Sequence, residues 1–206
     1  MVAMFAGCKT SADVTSSATK KTDENVIRPL PETLDITALD NCTVAISFEK
    51  GDVYVDDSGK MMMKAKVYSY EVFDMVDIAA LAEGSLIARR GETVKVEKIE
   101  RLDSGLVRIN GGEENGGFDL FSNDDTVYYE IGVNDYKAYY ELGEAVLPVS
   151  TEFVYYDNSD LEADAKKYYP GDFVTDAGIE YNFTQYNTSI VIENGAVIEM
   201  SKVYTP

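Results

Sequence analysis

Hydrophobic and polar residues alternate with a period of two along much of the chain after residue 34. The alternation is clearest in two runs, Val44, Ile46 and Phe48, then Met61, Met63, Ala65 and Val67. Successive side chains of a strand point to opposite faces, so each run predicts a strand with one buried face. Turn residues separate the runs at Lys50-Gly51 and at 56–59, and Val53 and Val55 lie between them. We therefore expect a three-stranded meander here.

The most specific local pattern is at the end of the sequence. Asn194-Gly195 is the preferred pair for a two-residue type I′ turn, and it separates apolar runs at 189–193 and 196–200. This pattern predicts a terminal hairpin. Further strands are expected at 86–88, 93–99, 106–109, 127–131, 153–156 and 180–184.

Two short helices are also expected. One covers 74–81 with Asp77 as its cap, and the other covers 159–169. In the second, Ser159 is the predicted N-cap, Glu162 the capping-box partner, and Pro170 lies beyond the end. Many short strands with so little helix indicate a mainly β fold, either an antiparallel barrel or a sandwich.

The 206 residues divide into three stretches of different character. Residues 1–7 are apolar or small and have the composition of a residual signal segment. Residues 8–33 are polar, rich in Ser and Thr, and are predicted to be a flexible tether. Residues 34–206 are expected to form a single mainly β domain, with sub-units 34–110 and 111–206 as the alternative.

Phe5-Ala6-Gly7-Cys8 stands directly before the predicted tether. It resembles the lipobox of bacterial lipoproteins, in which small residues precede a cysteine that becomes acylated. The resemblance implies cleavage before Cys8, a lipid on its sulfur, and an extracytoplasmic protein anchored to the bacterial cell membrane. Stable anchoring needs two or more acyl chains, which this modification supplies. The alternative is a hydrophobic N-terminal strand that happens to contain Cys8.

The charge of the chain limits its partners. There are 37 acidic and 18 basic residues, which gives a formal net charge of −19. Nucleic acids and anionic lipids would be repelled, so neither is expected as a partner, whereas cations and basic partners would be attracted. The sequence contains no histidine, which excludes Ser-His-Asp and Cys-His catalysis and histidine-ligated zinc. Cys42 precedes an apolar alternation, and a buried, inert thiol is expected there.

Two acidic clusters are candidate calcium sites, because Ca²⁺ takes carboxylate and carbonyl oxygens as ligands. The candidate ligands are Asp157 and Asp160 in one cluster, and Asp124 and Asp125 in the other. The alternative is that these residues belong to ordinary turns and a helix cap. The glycine-rich segment 110–117 contains two glutamates and precedes a strand pattern, so a long hairpin connection is expected rather than a phosphate site.

Function follows mainly from what the sequence lacks. Without a nucleophile motif or cofactor fingerprint, and with 15 tyrosines, it favours a non-catalytic binding module at the cell surface for a protein, peptide or glycan ligand. The alternative is an extracytoplasmic hydrolase that uses two carboxylates to cleave glycans. A pocket with facing carboxylates, one of them desolvated, would favour the enzyme, and a shallow tyrosine-lined face would favour binding.

Overall fold

The computed structural model describes residues 26–30, 34–122, 126–132, 136–175 and 177–205. These residues are mainly β, which confirms the predicted class. The strands are β1 Val26–Ile27, β2 Cys42–Ser47, β3 Val53–Val55, β4 Met61–Ser69, β5 Val72–Asp74, β6 Leu86–Arg89, β7 Glu92–Lys95, β8 Ile99–Arg101, β9 Val107–Ile109, β10 Phe118–Phe121, β11 Val127–Ile131, β12 Tyr140–Asn158, β13 Lys166–Tyr168, β14 Thr188–Glu193 and β15 Ala196–Val203. The helices are α1 Met75–Ala80 and α2 Pro170–Thr175, with single 3₁₀ turns at Ile36–Ala38 and Glu113–Asn115.

The described residues form two compact units that interleave along the chain. One unit, the barrel unit, contains the described residues of 34–69 and 139–205. The other, the inserted unit, contains 26–30 and the described residues of 70–138. These units do not coincide with the alternative sub-units at 34–110 and 111–206, because one unit interrupts the sequence of the other.

Five strands of the barrel unit close on themselves. The order β12-β15-β14-β2-β4 returns to β12 through a further pairing between β12 and β4. Numbered along the chain, the barrel strands are adjacent in the order 1-2-3-5-4-1, and the third and fifth, β12 and β15, are parallel. This is the topology of the OB type of five-stranded barrel. The predicted barrel is therefore present, with one parallel pairing where only antiparallel ones were expected.

Strand β12 closes the barrel because its first half pairs with one strand and its second half with another. Residues 140–148 pair with β4, and residues 149–158 pair mainly with β15. The inward positions of the barrel strands bury a continuous apolar core. Its fully enclosed members include Ile46, Met63, Val67, Phe153, Tyr155, Ile190 and Met200.

The inserted unit contains two sheets and its own core. One sheet has the order β5-β11-β10-β9-β8 and the other β1-β6-β7. Phe73, Ile78, Ile87, Phe118 and Leu120 are buried at its centre. Its core shares no residue with the core of the barrel unit.

The glycine-rich segment is a long hairpin connection between β9 and β10, as expected. Its close packing explains Gly117, where an added Cβ would lie only 2.0 Å from the carbonyl oxygen of Ile109. No real Cβ tolerates that distance to a backbone atom, so any other residue would force the hairpin apart.

Several predicted strands are corrected. In the expected meander, β2 and β3 do not pair, because β4 lies between them. The predicted strand at 93–99 is two strands, β7 and β8, in different sheets. The segment 180–184 contributes only a single bridge, Phe183 to Phe48. Finally, Val26 and Ile27 lie within the predicted tether yet pair with β6, since two β-branched residues suit a strand.

The two helices differ from those expected. The first begins one residue later than predicted, and Asp74 rather than Asp77 caps it by accepting from the Val76 N–H. The helix predicted at 159–169 is wrong. That stretch contains turns and then β13, and the helix begins at Pro170, where a proline without an N–H suits the first turn.

Cys42 and the length of the helices bear on two further properties of the chain. Cys42 is 3% exposed, which confirms the predicted buried thiol. Within the described ranges, no helix has the length and apolar character needed to cross a membrane. Cys8 and the rest of residues 1–25 lie outside the described residues.

Candidate functional site

The inward row of side chains changes from apolar to charged at one end of the barrel. On β12 the row runs Phe153, Tyr155, Asp157, and on β15 it ends with Lys202 after Met200. Strand register places Asp157 opposite Lys202 on one side and opposite Lys166 of β13 on the other. Paired residues project from the same face of a sheet, so the three charges form one row across the barrel mouth.

This mouth opens into a cleft of about 450 Å³. The volume lies within the ~300–1,000 Å³ range of small-molecule sites, which occur at the mouths of β-barrels among other places. Four separate stretches of the barrel unit supply its wall. The side chains that matter below are Asp157, Asp160, Lys166, Tyr168, Glu180 and Tyr204.

Asp157 is held as a carboxylate. Its Oδ1 accepts hydrogen bonds from the Ser159 backbone N–H at 3.0 Å and from the Ser159 hydroxyl at 2.5 Å. Partial burial by itself would raise the pKa of Asp157. The Ser159 hydrogen bonds and the Lys202 charge outweigh that effect and leave the pKa below its usual value. Asp157 is therefore a fixed negative group at the cleft wall.

Lys202 lies beneath that wall with only 1% of its surface exposed. Its Nζ donates a long hydrogen bond, 3.5 Å, to the carbonyl oxygen of Glu180. The same ammonium lies 5.5 Å from the centre of the Phe183 ring, within the range of a cation–π contact. Asp157 occupies the directly paired position on β12, and the Lys202 charge contributes to lowering the pKa of Asp157.

Tyr155 adjoins the same wall from the core side. The residue is fully buried, and its ring stacks on Tyr168 with the centroids 5.3 Å apart. Burial, together with the Asp157 charge, raises the pKa of Tyr155, so its hydroxyl stays protonated. That hydroxyl lies near Asp157 but makes no hydrogen bond of standard geometry. The stack holds the Tyr168 ring in one orientation at the cleft.

The structure brings one of the two proposed calcium clusters together. Asp157 and Asp160 both line the cleft, whereas Asp124 and Asp125 lie outside the described residues. Asp160 Oδ1 accepts from the Glu162 N–H, and the nearby Lys202 ammonium would repel a divalent cation at Asp157. Among the described residues, no three His, Cys, Asp or Glu side chains are grouped so as to hold a metal. Calcium binding stays an untested prediction of the sequence, and the Lys202 charge argues against it at Asp157.

A second group of charges lies in the inserted unit, where both carboxylates, Glu71 and Glu130, are buried. Arg89 makes a bidentate pair with Glu130, with N···O distances of 2.9 and 2.6 Å, and Arg90 adds a contact of 2.8 Å. Glu71 accepts from the Arg90 backbone N–H. Burial raises the pKa of Glu71, and the nearby Glu130 charge adds to the effect, although the Arg90 N–H opposes it. Glu130 is thus paired with both arginines, whereas the buried Oε2 of Glu71 has no hydrogen-bond partner among the described residues. The contacts to Glu130 and to Glu71 Oε1 brace the β6–β7 turn.

Sequence reasoning missed most of the cleft. The sequence predicts a helix over Lys166 and Tyr168 and a strand that begins at Glu180, and neither element is present in these described stretches. Lys202 and Tyr204 continue the inward parity of Met200, so a polar end to an apolar row was the available signal. Charged residues at inward positions mark the place where a barrel core gives way to a site.

Comparison with known proteins found no relative. No protein-family model, no curated protein and no solved structure matches the chain.

Proposed function

We propose that this protein is a non-catalytic binding module and that the barrel mouth holds its ligand. The observation that carries the proposal is the open cleft of about 450 Å³, whose wall combines carboxylates, a lysine and two tyrosines. The volume and the position at a barrel mouth are those of small-molecule sites, and the charged side chains can orient a ligand there. Because one fold can serve many functions, only the residues at the barrel mouth bear on what this protein binds.

The electrostatics of the mouth support binding over hydrolysis. A carboxylate-dependent glycosidase needs one carboxyl group whose pKa is raised, so that it can donate a proton. The pKa of Asp157 is lowered instead, and both Ser159 donors already engage its Oδ1. Such a group orients a ligand by accepting hydrogen bonds, without moving a proton.

The proposed location is the outer face of a bacterial membrane, with Cys8 carrying the lipid. The support is the Phe5-Ala6-Gly7-Cys8 segment together with the polar sequence that follows it. Mass spectrometry of protein extracted from native membranes should find a diacylglyceryl group on an N-terminal Cys8 peptide. An unmodified Cys8 in that fraction would refute the anchor.

Arrays of immobilised glycans and peptides test the binding function. We expect the purified protein to bind a restricted set of probes, and Lys166→Ala with Tyr204→Ala to abolish that binding. The matched control changes Lys167 and Tyr169 to Ala. Lys167 lies over Tyr156, 5.3 Å from the ring centre, and Tyr169 is exposed next to the cleft residue Tyr168.

The same preparation should be incubated with any glycan that it binds. We expect no new reducing ends, because the Ser159 hydrogen bonds and the Lys202 charge keep Asp157 ionised, so it cannot donate a proton to a leaving group. Turnover that disappears in Asp157→Asn would replace the binding proposal with the hydrolase. If the variant with Lys166→Ala and Tyr204→Ala still binds the probe, the ligand site does not lie at the barrel mouth.

A further inference from the structure

The charges around the barrel mouth fall into two layers. At the floor lie two opposite charges, Asp157 and the buried Lys202, which occupy directly paired strand positions, and the Lys202 charge helps to lower the pKa of Asp157. At the rim, Lys166, Asp160 and Glu180 face the same cleft. The floor is close to neutral, so the rim decides which charges a ligand must carry.

The rim charges do not neutralise one another. No ion pair within 4.0 Å joins Lys166, Asp160 or Glu180 to any charged group in the part of the chain that the structure describes. Elsewhere on the barrel exposed charges do pair, as in Lys64 with Glu144 at 3.2 Å and Lys66 with Glu141 at 3.1 Å. A cation and two anions are thus kept apart across one small cleft, with their charges open to a ligand.

An apolar surface joins the two kinds of charge. The Tyr168 ring is fixed by its stack on buried Tyr155, and the Tyr204 ring is half exposed at the same cleft. Fixed tyrosine rings offer contact area at little entropic cost, and their faces attract an ammonium group. The fully buried Tyr155, which carries the Tyr168 ring, also places its hydroxyl near Asp157 at this wall.

We infer that the barrel mouth selects a small zwitterionic molecule, with its ammonium group at Asp160 and Glu180 and its carboxylate at Lys166. The inference rests on the proposed binding function and names the class of ligand. A neutral sugar would leave all three rim charges without partners. A simple amine would meet the unpaired Lys166, and a simple carboxylate would meet two carboxylates and the overall charge of −19.

Three probes of equal chain length test this charge requirement on the full chain. 4-Aminobutyrate carries both charges, butylamine only the ammonium and butyrate only the carboxylate, and glucose serves as the neutral probe. Each is titrated at fixed ionic strength while backbone amide resonances are followed by NMR. We expect 4-aminobutyrate to shift the amides of Ser159, Lys166 and Gly178, with an affinity about tenfold above either single-charge probe.

Variants at the rim separate the two contacts. Lys166→Met should remove the advantage of 4-aminobutyrate over butylamine, and Glu180→Gln with Asp160→Asn should remove its advantage over butyrate. Lys167→Met, on the opposite face of β13, should change neither ratio. Unchanged resonances of the remaining amides verify that each variant is folded.

The outcomes distinguish the two proposals. Equal affinities of the three charged probes, or glucose binding more tightly than 4-aminobutyrate at the cleft amides, would overturn the zwitterion and leave the binding site in place. If no probe shifts the cleft amides while cleft-dependent binding persists on the arrays, the zwitterion is again refuted alone. If no probe shifts the cleft amides and no cleft-dependent binding is seen on the arrays, the binding site is refuted as well.

Discussion

The two units of this protein place buried charge in opposite settings. In the inserted unit, Glu130 forms ion pairs with both Arg89 and Arg90, so these three charges neutralise one another within the unit. In the barrel unit, Lys202 and Asp157 balance at the floor of an open cleft, and the charges at the rim stay unpaired. A paired, enclosed charge cluster braces a fold, whereas charges left open at a cleft are available to a partner.

Removing Glu130 should have the largest effect on stability. Glu130→Ala leaves two arginines without their shared carboxylate, which is only 5% exposed. We expect unfolding to become easier by about 2–3 kcal/mol, somewhat less than for a fully enclosed pair because Arg90 is 41% exposed. Urea denaturation measures the change. The control Glu144→Ala breaks an exposed pair and should cost under ~1 kcal/mol; equal losses would mean that the cluster is no brace.

Asp157→Asn tests the floor of the cleft. The pKa of Asp157 is lowered in the folded protein, so its contribution is present above the unfolded value of about 3.9 and is lost as pH falls through the lowered value. We expect the variant to be less stable than wild type at neutral pH, with the deficit shrinking in acid. Thermal melts across this range measure it. A deficit that does not change with pH would show that the Asp157 charge contributes nothing.

Glu71→Gln should show the opposite pH dependence. The pKa of Glu71 is raised by burial, so its contribution is complete below the unfolded value of about 4.3 and is lost as pH rises through the raised value. The variant should therefore gain stability relative to wild type between acid and neutral pH. Parallel melting curves for the two proteins would contradict this, and the contrast with Asp157→Asn would disappear.

Calcium should have the smallest effect. The positive charge of Lys202 repels a divalent cation at Asp157. We therefore expect millimolar calcium to raise the melting temperature no more than sodium of equal ionic strength. A calcium-specific rise that is lost on changing Asp157 and Asp160 to alanine would restore the metal site that the sequence suggests. General screening of the −19 charge would act equally in both salts.

Local rules predicted the elements whose cause is local. Asn194 and Gly195 adopt positive φ values of 51° and 71°, as a type I′ turn requires, and the terminal hairpin forms as expected. The alternation through Met63, Ala65 and Val67 correctly predicted β4, since all three are buried. In these segments the hydrophobic period and the turn chemistry agree.

The predicted helix at 159–169 failed because short side chains compete with the helix for the backbone. Asp157 accepts from the Ser159 N–H and Asp160 accepts from the Glu162 N–H, so two local turns replace the capping box. The cleft was equally beyond reach, since its residues come from the end of β12, from β13, from 178–180 and from Tyr204. Only closure of the barrel brings these segments together, and no local pattern encodes that pairing.

The interruption of the barrel sequence has a consequence for the order of folding. Pairing of β4 with β12 starts at Ser69 and Tyr140, and residues between them must first be gathered into a loop at an entropic cost. The folded insert lowers that cost, because its own two ends meet where the Lys137 ammonium lies 4.0 Å from the centre of the Tyr70 ring. An insert that folds early turns a distant strand pairing into a nearly local one, and non-local pairings are what slow β proteins. The inserted unit thus holds Ser69 and Tyr140 close together before the barrel forms. We therefore expect mutations that destabilise the inserted unit to slow formation of the barrel.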